Sequence, residues 1–255
     1  MTDASLLRQI RSLIHDAKSI TVLTGAGMSA ESGIPTFRQA QSGLWAQFSP
    51  KALATPEAWQ RDPALVWGWY VWRMAGVRAT QPNAGHHALA RAAKTRTIRI
   101  VTQNVDDLHE RAGSREVIHL HGSLFAHRCS ACARPFADVD LPAPDAEPQF
   151  IPPPRCTDCA ELIRPGVVWF GENLPEVPFQ AAVAATRDCD LMLVVGTAGV
   201  VHPAAALPAF ARQHGAHIIE INPMKTELSV LADICLRGTA ATMLPALFDT
   251  RAAPA

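Results

Sequence analysis

Short runs that are almost wholly apolar alternate along the chain with longer stretches whose apolar residues recur every three or four positions. The first pattern suits strands covered on both faces; the second suits helices with one core-facing stripe. Leu6, Leu7, Ile10, Leu13 and Ile14 form such a stripe over residues 5–18, and Ser19–Thr24 follows as a strand. Further strands are expected at 98–101, 117–120, 165–170, Leu191–Val195, His217–Ile221 and Ile234–Leu236. Helices are expected at Pro63–Ala79, 83–94, 177–187 and 203–214, with a last one opening after Gly238-Thr239-Ala240. A short helix running to Arg111, capped by Asp106 or Asp107 and stopped by Gly113, separates two of the strands. This alternation predicts an α/β fold built on a doubly wound parallel sheet.

Two stretches break the rhythm. In 41–80, Pro50, Pro56 and Pro63 cut the chain into short helices. The longest carries Trp67, Trp69, Tyr70, Trp72 and Met74, residue types suited to core or groove wall. Residues 126–165 are rich in Pro and Cys and lack periodicity. The expected organisation is a discontinuous large domain of 1–40, 81–125 and 166–255, with 41–80 as a helical insertion and 126–165 as a metal-binding ribbon that together form a small domain.

Length and charge narrow the function classes. The 255 residues suffice for one large domain with a small second lobe. A formal net charge of +0 offers no basic field for nucleic acid. No apolar run approaches the ~20 residues that span a bilayer. The first 18 residues lack the apolar block of a signal peptide and include acids, which argues against a transit peptide. The expectation is a cytoplasmic chain with reduced thiols and no membrane or nucleic-acid partner.

Chemistry concentrates after the strands. Gly25-Ala26-Gly27-Met28-Ser29-Ala30 follows the first strand and fits the G-x-G-x-x-G/A turn of dinucleotide-binding proteins. Gly25 permits the tight turn, Gly27 lets backbone approach a pyrophosphate, and the N-terminus of a following helix favours negative charge. The acid that usually holds the ribose ~20 residues further on is missing. Glu220 or Asn222, at the end of a later strand, is a candidate for that contact, and Phe37 with Arg38 is placed to close over a ring and a phosphate. Gln103, Asn104, Asp106 and Asp107 follow one strand, and His121 follows the next. Polar residues at the carboxyl ends of strands are where open α/β sheets hold ligands. Cys129-x2-Cys132 and Cys156-x2-Cys159, 23 residues apart, have the spacing of a four-thiolate zinc site, which leaves no open position for water and is therefore structural. His86 and His87 read as structural or solvated, and Cys189 and Cys235 as buried and inert.

Taken in order, GAGMSAESGIPTFR, TQNVDDLHERAG, HLHGS, the doubled CxxC, RPGVVWFGENLP, VVGTAGVVHPAA and INP resemble the sirtuins, NAD-dependent protein-lysine deacylases. The resemblance spans nearly the whole chain and implies a Rossmann-like large domain with a zinc-ribbon and helical small domain. It implies that residues 25–44 hold the pyrophosphate and cover the nicotinamide ribose, through Gly25, Ala26, Gly27, Ala30, Pro35, Thr36, Phe37 and Arg38. Gln103, Asn104, Val105 and Asp106 would set the ribose and carboxamide, with Asp106 taking the amide. His121 would be the general base, with Asn104 beside it. Gly196, Thr197, Ala198, Asn222, Pro223, Met224 and Ala240 would bind the adenosine half. Val168, Trp169, Phe170, Gly171, Glu172, Val200 and Val201 would sandwich an extended acyl-lysine peptide by strand addition.

In that chemistry the acyl oxygen attacks the anomeric carbon, nicotinamide leaves, and water finally yields free lysine and O-acyl-ADP-ribose. The zinc takes no part. Tyr70 and Arg73, three residues apart on one helix face, look like the pair of the sirtuin branch that removes succinyl and malonyl groups. The chain departs from many members of the family where Thr36 stands for an Asp and Val105 for an Ile, and Ala198 replaces the usual Ser; the last removes a hydroxyl worth about 0.5–1.5 kcal/mol if it bonded the cofactor. A monomer is expected. The alternatives are a mono-ADP-ribosyltransferase on the same scaffold, which would add ADP-ribose to the peptide, and a zinc-containing nucleic-acid module. The latter would have few ribbon cations to work with, Arg128, Arg134 and Arg155 among them.

Overall fold

A computed structural model describes residues 4–35, 49–137, 139–143 and 149–249. Helix α1 (Ala4–Asp16) leads into β1 (Ser19–Thr24). Three helices follow, α2 (Pro50–Leu53), α3 (Pro56–Arg61) and α4 (Pro63–Ala79), and then α5 (Ala84–Ala92) leads to β2 (Thr97–Thr102). The short α6 (Leu108–Arg111) connects β2 to β3 (Val117–His119). A hairpin of β4 (Arg128–Cys129) and β5 (Ile163–Arg164) precedes α7 (Glu176–Arg187). The chain ends with β6 (Leu191–Val195), α8 (Leu207–Gln213), β7 (His217–Ile221), β8 (Ile234–Leu236) and α9 (Ala240–Phe248).

Six strands form one parallel sheet in the order β3-β2-β1-β6-β7-β8. The chain runs outward from β1 to β3, then returns past β1 to lay down β6 on its other side. Strand order therefore reverses between β1 and β6, and ligands of such sheets bind outside the carboxyl ends at that reversal. Alternate strand residues face opposite cores. Val22, Leu193 and Val195 pack with Ile10, Leu89 and Leu244 of α1, α5 and α9. Leu23, Met192 and Val194 pack with Ala182 and Ala211 of α7 and α8. Burial on both faces is why these strands read as continuous apolar runs.

A third core joins the two irregular stretches. Leu53, Trp59, Trp67, Trp69 and Tyr70 pack with Cys129, Cys156, Ile163, Val167 and Trp169. The helices of this unit start where their prolines allow. Thr55 Oγ1 accepts from Ala58 N at 3.1 Å and Asp62 Oδ1 from Leu65 N at 2.9 Å, each ahead of a proline whose missing N–H costs a first turn nothing. Among the described residues no helix is long and apolar enough to cross a membrane.

Four local expectations need correction. Residues 165–170 add no strand to the main sheet. Only Val167 bridges Gly122, and Ile163–Arg164 pairs antiparallel with β4 instead. Pro165 has no N–H to give a ladder, and Gly166 packs so tightly on Ala126 that a Cβ would lie 1.6 Å from its carbonyl oxygen. No α-helix follows the β1 turn over the described residues: two 3₁₀ turns, Ala26–Met28 and Ala30–Ser32, end at Gly33 with φ 92°. The helix expected at 203–214 splits into a 3₁₀ turn (Ala204–Ala206) and α8, restarting at Leu207-Pro208 because Pro208 cannot donate. The expected ribose contact from Glu220 is unsupported, since its carboxylate accepts from Thr226, Ser229 and Arg237 inside the fold.

Candidate functional site

The carboxyl ends of β1, β2, β3, β6 and β7 meet, and one network of hydrogen bonds ties them. Two loops interlock first. A Cβ on Gly25 would lie 2.7 Å from that of Thr197, and one on Gly27 would lie 2.7 Å from Gly196 Cα. Gly196 has φ 61°, and Gly27 N donates to Gly196 O at 2.8 Å. The fingerprint glycines thus let the turn after β1 approach the turn after β6 as well as any ligand. The amides of Ala26, Thr197 and Ala198 donate to no described residue, which leaves a row of N–H groups at the strand-order reversal. Such a cradle, closed to side chains and lined with free N–H groups, fits a pyrophosphate.

Asn104 and Asp106 are buried beside this turn. Asn104 Nδ2 donates to Gly25 O at 3.0 Å and to Ser29 Oγ at 3.2 Å, so its Oδ1 remains to accept from a ligand. Ser29 in turn donates to Asp106 Oδ2 at 3.0 Å. Asp106 Oδ1 accepts from Leu108 N at 3.2 Å, whereas Asp107, at the N-cap position of α6, makes no side-chain capping bond. Burial raises the Asp106 pKa, opposed by those two hydrogen bonds. Gln103 Nε2 donates to Thr197 Oγ1 at 2.9 Å, and Asn222 Nδ2 donates to Thr197 O at 3.1 Å. Pro223 and Met224 lie exposed beyond Asn222. Ala240 is buried at the start of α9, where Glu31 accepts from Ala241 N at 2.9 Å and pins the β1 loop to that helix. Ala30 and Pro35 are exposed on that loop; Thr36, Phe37 and Arg38 lie outside the described residues.

His121 joins the same network. Its Nδ1 donates to Gln103 O at 3.0 Å, which fixes the tautomer and leaves Nε2 as the basic nitrogen. Burial lowers its pKa, partly opposed by that hydrogen bond, so the imidazole is neutral at neutral pH. The neighbouring His119 behaves oppositely: burial pulls its pKa down, but Glu110 at 2.7 Å outweighs this and the net shift is upward.

Val168 N donates to His121 O at 2.8 Å, so the 168–172 segment starts beside the imidazole. Among the described residues the Val168 carbonyl and the Gly171 amide make no hydrogen bond, and Val200 is exposed. Glu172 turns inward. Arg164 grips both its oxygens at 2.6 and 2.9 Å, and Trp169 N donates to it at 2.8 Å. Glu172 therefore shapes the segment. Trp169 is buried, stacks on the Arg164 guanidinium at 3.5 Å, and donates from Nε1 to Tyr70 Oη at 3.1 Å. The buried Tyr70 phenol, pushed by desolvation up to about 12, keeps its own proton to donate. Arg73 Cζ sits 4.9 Å from the Trp69 ring and 5.8 Å from the Tyr70 ring. Val105 O accepts from Leu124 N, and Val201 O accepts from Ala205 N.

The four cysteine sulfurs lie within 4.8 Å of one another, with Cys129 to Cys159 at 3.4 Å and Cys132 to both Cys156 and Cys159 at 3.7 Å. A tetrahedron of sulfurs about 2.3 Å from zinc has edges of about 3.8 Å, whereas a disulfide would be about 2.0 Å. All four thiols are free and have the arrangement of a structural zinc site. His86 is buried as expected, His87 is exposed, Cys189 is buried and Cys235 is half-buried.

Ser29 and Asn83 escape the sequence reading. Asn83 Nδ2 donates to Met28 O and Ser32 Oγ, and its Oδ1 caps α5, so it locks the β1 turn to that helix. A small polar residue inside a glycine turn, and an asparagine before a helix, were the available signals.

Residues 25–203 match the Sir2 family model. The NAD-dependent protein deacylase 1 of Pseudomonas aeruginosa is 52% identical over 244 residues, covering 94% of this chain and 97% of that protein. The NAD-dependent protein deacylase of Mycobacterium tuberculosis is 50% identical over 232 residues, covering 90% and 96%. The fold superposes on a Sir2 homolog–NAD complex with a TM-score of 0.87 at 46% identity, over 98% of this chain and 93% of that one. It also superposes on a Sir2–p53 peptide–NAD+ structure with a TM-score of 0.81 at 27% identity, over 95% and 97%. With the family model covering most of its length and relatives sharing half its residues, the chain belongs to the Sir2 family.

Proposed function

We propose that the protein is an NAD-dependent protein-lysine deacylase. The observation that carries this reading is the neutral His121, with Nε2 basic, joined through Gln103 to the glycine cradle and through Val168 to a strand edge that no described residue pairs. One residue thus touches the proposed cofactor site and the proposed peptide site. Bound NAD supplies a ribose carbon that takes the acyl oxygen as nicotinamide departs. The amides of Ala26, Thr197 and Ala198 hold the pyrophosphate, Asn104 Oδ1 orients a ribose hydroxyl, and Asp106 accepts from the carboxamide. His121 Nε2 removes a proton from a ribose hydroxyl, a task suited to an imidazole that titrates below its ordinary range. The peptide adds as a strand at Val168 and Gly171, opposite Val200 and Val201, so main-chain bonds carry affinity. The zinc supports the small domain, made of 41–80 and 126–165, against the discontinuous large one. Protein substrates accord with the peptide-bound structural neighbour.

The acyl group fits the same reading. Tyr70 and Arg73 present a phenol proton and a guanidinium within the apolar wall of Trp69 and Trp169. A guanidinium matches a carboxylate bidentately, so the protein removes succinyl and malonyl groups as well as acetyl. Arg73→Met should lower kcat/KM on a succinyl peptide by roughly 10–150-fold, the equivalent of a ~1.5–3 kcal/mol charged hydrogen bond, and leave an acetyl peptide within a few-fold. Equal losses on both peptides would show that the pair only supports α4.

A further inference from the structure

The antiparallel register of β4 and β5 sets Arg128 opposite Arg164, and the two arginines have different fates. Arg164 is buried, held by both Glu172 oxygens and stacked on Trp169. Glu172 receives its remaining hydrogen bond from Trp169 N. Glu172 thus takes its hydrogen bonds from Arg164 and Trp169, while Arg128 acts on it only through its charge, which helps to lower the Glu172 pKa. Arg128 is exposed, and its guanidinium bonds no described residue. The pair carries two positive charges against one negative.

Arg128 does not simply project into solvent. Together with Val167, Val168, Glu172, Asn173 and Pro175 it lines an open cavity of ≈ 420 Å³. Val168 is the shared wall: its N–H binds His121 O, its carbonyl accepts from no described residue, and its residue borders the cavity. A peptide laid along Val168 to Gly171 runs past this cavity, so a side chain near the acyl-lysine can enter it. We propose that the cavity is a subsite for an acidic side chain flanking the acyl-lysine, with Arg128 as its specificity-determining residue. This rests on the deacylase reading above. A guanidinium fork takes a carboxylate bidentately and disfavours a lysine in the same place. Because Arg128 is exposed, the selectivity is modest and weakens with salt.

The test uses acetyl-lysine peptides in which each flanking position in turn is Ala, Asp or Lys, with NAD and the full chain. The wild-type protein should favour Asp over Ala by about two- to fivefold in kcat/KM at one position, and disfavour Lys there. Arg128→Gln should erase the preference and Arg128→Glu should invert it, while the all-Ala peptide stays within about twofold in all three proteins. Zinc content equal to wild type shows that the hairpin is intact; if Arg128→Glu loses zinc, Arg128→Gln decides. No charge preference at any position, or a preference that survives both substitutions, would overturn the subsite while leaving deacylation standing. No turnover of any peptide by the wild-type protein would overturn the deacylase reading and this subsite with it.

Discussion

His121 shows how little a single residue needs to become a base. One hydrogen bond from Nδ1 to a backbone carbonyl sets its tautomer, and burial keeps it neutral. Because the pKa is lowered, the neutral form persists as pH falls through the ordinary imidazole range, and the acid limb of kcat/KM should lie below about 6.5. His121→Ala should reduce kcat by ~10²–10⁴-fold while calorimetry finds NAD affinity within a few-fold of wild type. A variant retaining a third of wild-type activity would remove His121 from this role. At this scale the sequence was most informative where a residue sits inside a motif: Asn104, Asp106, His121 and the cysteines were all legible. It was least informative where a contact spans the chain. Ser29 meets Asp106 across 77 positions, and Gln103 meets Thr197 across 94. Nothing local announces either pairing.

The β4–β5 hairpin illustrates the element scale. Two short strands of two residues each cannot fold by themselves, and Cys129, Cys156 and Ile163 are buried against Trp67 and its neighbours on α4. Metal binding and folding of such a unit are one process. Cys156→Ser should lower zinc content by about one ion per chain and raise proteolytic sensitivity of residues 126–165. A chelator should inactivate the wild-type protein slowly, on the timescale of that unfolding; fully active protein devoid of zinc on elemental analysis would contradict this. Buried strands were readable because both their faces are apolar, and α3 and α4 because caps and prolines mark their starts. The misread stretch, 165–170, has the apolar run of a strand, but its amides go to unrelated acceptors: Val168 N donates to His121 O, Phe170 N to Ala54 O and Trp169 N to the Glu172 carboxylate. Periodicity cannot distinguish a backbone acceptor from a carboxylate. The β1 turn was legible as a glycine motif, yet its tightest contact is with Gly196, on a loop that pairs with it only in the folded sheet.

Across the whole molecule, the reversal of strand order between β1 and β6 collects residues from five strand ends into one site, and it also buries polar groups below that site. His86 and His109 pack edge to face with centroids 4.8 Å apart, and His109 Nε2 lies 3.3 Å from Thr24 Oγ1. Among the described residues His86 Nε2 and His109 Nδ1 are buried without partners. Burial, aided by the nearby His87, lowers the His86 pKa to about 4; burial, aided by His86, depresses that of His109 as well. Both groups take up protons on unfolding between their folded and unfolded pKa values, so stability falls as pH drops from about 6.5 towards 4, on the order of 3 kcal/mol from His86 alone. Urea unfolding across that range should show the loss, and His86→Gln should flatten it; a midpoint independent of pH would refute the neutral pair. The sheet order and the Sir2 membership fix what the assembled site must do. The most direct measurement is mass spectrometry of an acylated lysine peptide incubated with the protein and NAD. The account predicts that the peptide loses its acyl group while nicotinamide and O-acyl-ADP-ribose appear in equal amounts, only when NAD is present. A peptide that instead gains ADP-ribose, or one deacylated equally well without NAD, would contradict it.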